Sequence, residues 1–147
     1  MNFKDYLIQT SKLANEEKEI LDILSSIETL SPIEIRAAKN SLQVMIENTI
    51  GKSKKILKYY NCPIIPQRSK DSLSFLYDIG AIEEELYYSL SSAIGFRNSM
   101  IHDYMKFNID ILYKILSEKR YVDIYNFLVD EAEYSNLIRT RIENYSF

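Results

Sequence analysis

The sequence predicts an all-α protein, a compact up-and-down helical bundle with short connections. Three observations carry this. Apolar residues recur at three- and four-residue spacing along most of the chain, the period of a helix that buries one face. Only 3 glycines and 3 prolines occur in 147 residues, which leaves room for few loops. No stretch of useful length alternates apolar and polar residues as a half-buried strand does.

Leu13, Ile20, Leu24 and Ile27 mark the apolar stripe of a first helix. Ser31-Pro32-x-Glu34 then reads as a helix start: serine caps free N–H groups, proline suits the first helical position, and glutamate completes a capping box. Ile35, Ala38, Leu42 and Met45 carry this second helix to about Tyr60. The segment 61-NCPIIPQRS-69 holds two of the three prolines and is expected to be the main loop. A short helix follows from Asp71 to Ile79, closed by Gly80 as a C-terminal cap. Ile82, Leu86, Leu90 and Ile94 mark the next helix. Its acidic start, Glu83-Glu84-Glu85, suits the positive end of a helix dipole and is read as a solvated face, not a metal site. From Asn108 to about Asn144, Ile109, Leu112, Ile115, Tyr125 and Leu128 predict one or two further helices.

The length fits one domain, residues 1–147, with one hydrophobic core. The lone Cys62 excludes an internal disulfide and a cysteine metal cluster, and fits a reducing compartment. No apolar run approaches the roughly 20 residues of a membrane span, and the N-terminus MNFKDYLIQTSK lacks a signal-peptide core. A cytoplasmic protein is therefore expected. The net charge of −3 speaks against a general nucleic-acid binder, but it is unevenly spread. Residues 31–70 hold eight basic side chains (Arg36, Lys39, Lys52, Lys54, Lys55, Lys58, Arg68, Lys70) against Glu34 and Glu47, a net of +6, so the remainder carries −9. Two readings stay open: the lysines 52–58 complement a helix C-terminus, or they form part of a phosphate-facing patch.

The chemistry concentrates in 95-GFRNSMIHDYM-105, which contains the only histidine, His102. A histidine titrates near neutral pH and can take and return a proton. Arg97 supplies a permanent positive fork matched to phosphate oxygens, and Asn98 a neutral group able to orient the pair. RNA cleavage by its own 2′-hydroxyl asks for a base, an acid and stabilisation of a negative phosphorane, and needs no metal. On an unbroken helix, however, Arg97 and His102 point about 140° apart. Either the helix breaks between Gly95 and Tyr104, or the two groups meet across a twofold dimer, which would also supply a second histidine. Glu47, in an otherwise basic or apolar helix, is read as a surface ion-pair partner.

Arg97-Asn98-x-x-x-His102-x-Tyr104, preceded by Gly95-Phe96, resembles the R-x-x-x-x-H-x-Y signature of HEPN-domain toxins of the HepT type. The resemblance extends over Arg36 to Glu47, the proline-bearing loop, 73-LSFLYDIGAIEEEL-86 and 108-NIDILYKIL-116. It implies a dimeric all-α fold with the active cleft at the twofold interface, and a metal-independent endoribonuclease acting as the toxin of a type VII-like toxin–antitoxin pair. No cofactor or metal is implied. The implied partner is a small nucleotidyltransferase antitoxin of the MntA type, which silences the toxin by transferring AMP to the motif tyrosine. Carried over, Arg97 and His102 are the catalytic pair, Asn98 a supporting orienter and Tyr104 the AMP acceptor. Arg36, Lys39, Lys52 and Lys55 are the candidate contacts to RNA, whether tRNA or mRNA, and assembly beyond a homodimer is left open. The competing reading is a non-catalytic HEPN-like module that binds a nucleotide or a nucleotidyltransferase without cutting anything.

Overall fold

The computed structural model describes residues 1–102 and 107–145. It contains α1 (Phe3–Ser25), α2 (Pro32–Tyr59), α3 (Asp71–Asp78), α4 (Glu84–His102), α5 (Ile109–Ser117), α6 (Tyr121–Val129) and α7 (Asn136–Glu143), with no strand among the described residues. The all-helical expectation holds, and α2 is the centre of the packing. It lies against α1, α3, α4 and α6, while α1 also meets α6 and α5, and α4 meets α3 and α6.

The start of α2 is built as its sequence indicates. The Ser31 hydroxyl accepts from the Glu34 N–H at 3.2 Å, and a Glu34 carboxylate oxygen accepts from the Ser31 N–H at 2.8 Å. The end of α3 uses Gly80 at φ +86°. There the Ala81 N–H reaches the Leu76 carbonyl and the Gly80 N–H that of Tyr77, the paired bonds of a Schellman cap. In α1 the buried positions are Thr10, Ala14, Leu21 and Leu24. Ile20, expected on the apolar stripe, is instead 39 % exposed, its neighbour Leu21 taking the buried position beside the expected Leu24.

The C-terminal region forms three helices where one or two were expected. Lys119 adopts φ +51° and ends α5 with a Schellman pair, Arg120 N–H to Ile115 and Lys119 N–H to Leu116. Ala132, at φ +54°, sits in the connection from α6 to α7. Tyrosines fasten these short helices to the rest. The Tyr121 hydroxyl donates to Asp22 at 2.6 Å, that of Tyr60 to the Ala132 carbonyl at 2.6 Å, and that of Tyr125 to Asn15 at 2.6 Å. The Tyr113 hydroxyl accepts the Leu30 N–H at 2.9 Å, tying α5 to the α1–α2 connection.

Candidate active site

Leu90 and Ile94, both fully buried, seat α4 against the core. Arg97 follows on the same side of the helix and brings a guanidinium to the edge of the packed layer, its side chain 22 % exposed. One terminal nitrogen, Nη1, donates to Asn98 Oδ1 at 2.9 Å. Nη2 faces Glu47 Oε1 across from α2 at 3.4 Å, a long ion pair. Nε is buried and has no hydrogen-bond partner among the described residues. The same Glu47 oxygen accepts from Gln43 Nε2, also at 3.4 Å.

Because α4 runs unbroken through His102, a helix break ahead of the histidine is excluded. His102 is exposed and turned about 140° from Arg97 around the helix axis. Within one chain the two catalytic candidates therefore diverge. The group facing Arg97 is Glu47, half-exposed and in an ion pair as its sequence setting leads one to expect. Tyr104 lies outside the described residues.

The basic residues separate into different environments. On α2, Arg36, Lys39, Gln43 and Glu47 lie within a band about 80° wide, so Arg36 and Lys39 share the side of α2 that meets Arg97. Lys39 also sits over the Phe107 ring, 4.1 Å from its centroid. Lys55 is exposed, further toward the C-terminus of α2, over Tyr6. Lys52 corrects the expectation of an RNA contact: it is fully buried. Its ammonium donates to the carbonyls of Phe127 at 2.7 Å, Leu128 at 3.1 Å and Asp130 at 2.5 Å, where α6 ends. The reading of a lysine complementing a helix C-terminus was right for Lys52 in kind, but the helix is α6 and not its own. Burial pushes its pKa down to about 8, opposed by the nearby Asp130 carboxylate. Lys70, from the basic segment 31–70, is a further cation near the motif, since a Cβ added at Gly95 would lie 3.9 Å from its Nζ.

A cleft of about 640 Å³ opens on another side of α4, between that helix and α5 and α6. Leu42, Ile46 and Ile124 line its apolar part, and Tyr88, Ser92 and Asp123 contribute polar groups. Glu83, Glu84 and Glu85 are exposed around the start of α4. Among the described residues no group of three or more His, Cys, Asp or Glu side chains could hold a metal ion, and no helix is long and apolar enough to cross a membrane.

The fourth helix of this all-helical bundle thus carries, in its last turns, an arginine hydrogen-bonded to asparagine and an exposed histidine. The chain belongs to the Ribonuclease HepT-like family, whose model matches residues 7–130. It is similar to the mRNA nuclease HepT of Shewanella oneidensis, 36% identical over 52 residues, a stretch covering 35% of this chain and 39% of that relative. Two solved structures share the fold. One is a toxin–antitoxin with AMP-PNP, at TM-score 0.75 and 23% identity, covering 87% of this chain and 97% of that one. The other is a tri-AMPylated Shewanella oneidensis HEPN toxin in complex with an MNT antitoxin, at TM-score 0.75 and 24% identity, covering 87% and 96%.

Proposed function

We propose that this protein is a metal-independent endoribonuclease, the toxin of a type VII-like toxin–antitoxin pair, working in the cytoplasm. The observation that carries the reading is the end of α4, where Arg97 is oriented by Asn98 and followed by an exposed His102, within the stretch matched by the family. In this reading Arg97 binds the scissile phosphate and stabilises the charge that builds on it, and His102 moves the proton. Arg36, Lys39 and Lys55 lead RNA toward that phosphate, so affinity falls steeply with salt. Residues 1–147 act as one domain.

The name of the curated relative supports nuclease chemistry. The structural neighbours, solved as toxins with their antitoxins, support a nucleotidyltransferase partner of the MntA type. Its target here is Tyr104: an added AMP brings a phosphate and a purine beside the arginine, repelling and excluding RNA. The divergence of Arg97 and His102 on one helix favours a homodimer in which two motifs share a cleft.

The test is RNA cleavage by purified, unmodified protein in EDTA, beside His102→Ala. Cleavage that survives EDTA and is lost in the variant establishes the activity. The same divergence also favours a second reading, a module that grips a nucleotide or its partner without cutting. Absence of cleavage by unmodified protein across several RNA classes would select it.

A further inference from the structure

Acid–base cleavage of RNA needs two proton-transfer groups, and the only histidine of each chain points about 140° away from its own Arg97. The group that reaches Arg97 across the interhelical contact is not His102 but the Glu47 carboxylate, at 3.4 Å. We infer that Glu47 is a catalytic residue, the general base that activates the 2′-hydroxyl, with the histidine of a second copy of the chain as the general acid; this rests on the ribonuclease reading and the shared cleft above.

Three features of the contact fit the role. The Glu47 side chain is 45 % exposed, so a ribose can reach it. Its Oε1 is held by Gln43 and Arg97, while Oε2 has no hydrogen bond among the described residues and is free to take a proton. Arg97 touches the carboxylate through one nitrogen only, leaving donors on the guanidinium for a phosphate. A phosphate gripped by that fork has its neighbouring ribose oxygen within a few ångströms of the carboxylate, since the guanidinium is only about 2–3 Å across. Base and phosphate clamp thus come as one preassembled pair on α2 and α4.

The step balances without metal, water or redox change. Glu47 removes the proton of the 2′-hydroxyl as that oxygen bonds to the adjacent phosphorus. The P–O5′ bond breaks with its electron pair on O5′, and the His102 imidazolium of the second copy gives that oxygen a proton. The products are a 2′,3′-cyclic phosphate end and a 5′-hydroxyl end. Solvent then returns the proton from Glu47 to His102.

The pH dependence follows from two groups: cleavage requires Glu47 ionised and His102 protonated, giving a bell. Arg97, from α4, is the charged group paired with Glu47. Among the described residues no charged side chain of α1, α3 or α6 pairs with it, and on α2 itself its partner is the neutral Gln43.

The experiment measures cleavage of a dinucleotide-containing RNA by the full chain as a function of pH, for wild type, Glu47→Gln and Glu47→Ala, each checked by circular dichroism. Glutamine keeps an oxygen for Arg97 and Gln43 but cannot act as a base. The expected result is a kcat lower by about 100-fold or more in Glu47→Gln, with KM little changed and the acid limb of the bell gone. A Glu47→Gln rate near wild type with loss only in Glu47→Ala would make Glu47 a mere holder of Arg97 and overturn the assignment. A lower KM and faster cleavage in Glu47→Gln would overturn it too, marking the carboxylate as a competitor of the phosphate. Failure of the wild type to cleave any RNA would overturn the ribonuclease reading itself.

Discussion

A lysine ammonium with no contact to water is costly unless other oxygens replace its hydration. At Lys52 three carbonyls do so, at the end of α6 where helix carbonyls lack partners and the dipole is negative. Lys52→Met keeps the bulk but strands those carbonyls, and should lower unfolding stability by about 1–3 kcal/mol. The pH dependence has a definite sign. Free lysine holds its proton to about 10.5 and Lys52 to about 8, so between those values the unfolded chain binds more protons and this group makes stability rise with pH. The margin of wild type over Lys52→Met in urea melts should therefore widen from pH 8 toward 10.5, and a flat margin would refute it. Tyr121 acts oppositely: burial, and then Asp22, push its hydroxyl up to about 12, so its contribution is complete below pH 10 and is lost as the pH rises through 12. The burial of Lys52 was legible in principle. Ala38, Leu42, Met45, Thr49, Lys52 and Ile56 follow the 3–4 spacing of one stripe, and all six are buried. Grouping lysines by sequence proximity, and not by helical phase, hid it.

Among the elements, boundaries written in residues with strong backbone preferences were readable, and those written in ordinary residues were not. Ser31, Pro32, Glu34 and Gly80 announce their caps through the chemistry of their side chains, or through the lack of one. The end of α5 is a Schellman cap like that after α3, yet it is built on Lys119, a residue with no preference for positive φ. That hidden stop is why the C-terminal region read as one or two helices. Left-handed backbone costs a lysine about 1 kcal/mol or more. Lys119→Gly should accordingly stabilise the protein by roughly 0.5–1 kcal/mol, less whatever glycine costs in unfolded-state entropy. Asn61→Gly, at φ +62° after α2, should gain less, since asparagine tolerates that region. Thermal melts of the two variants, compared with Ser31→Ala, which should lose about 1 kcal/mol from the capping box, measure all three. The exposure of Ile20 in α1 has a different reason. Ile20, Leu21, Ile23 and Leu24 are all apolar, so the sequence permits two adjacent stripes, and tertiary packing chooses Leu21 and Leu24.

At the scale of the whole molecule, the motif picks out candidate residues but not their arrangement. Spacing alone set Arg97 and His102 about 140° apart on a helix but could not say whether the helix broke. The continuity of α4 through His102 removes the break. What spacing could not supply was the α2–α4 contact that brings Glu47, fifty residues away in sequence, to Arg97. If the cleft is shared, Arg97 and Glu47 of one chain work with His102 of the other, and each dimer holds two composite sites. Arg97→Ala and His102→Ala proteins should each be inactive alone. After mixing and subunit exchange, half of the dimers would be mixed, and each would hold one complete site and one lacking both groups. Activity should then return to about a quarter of wild type under random exchange. Catalysis within a single chain predicts no recovery, because neither chain then contains both groups. The recovered fraction, measured against the proportion of mixed dimers seen by native mass spectrometry, decides between them.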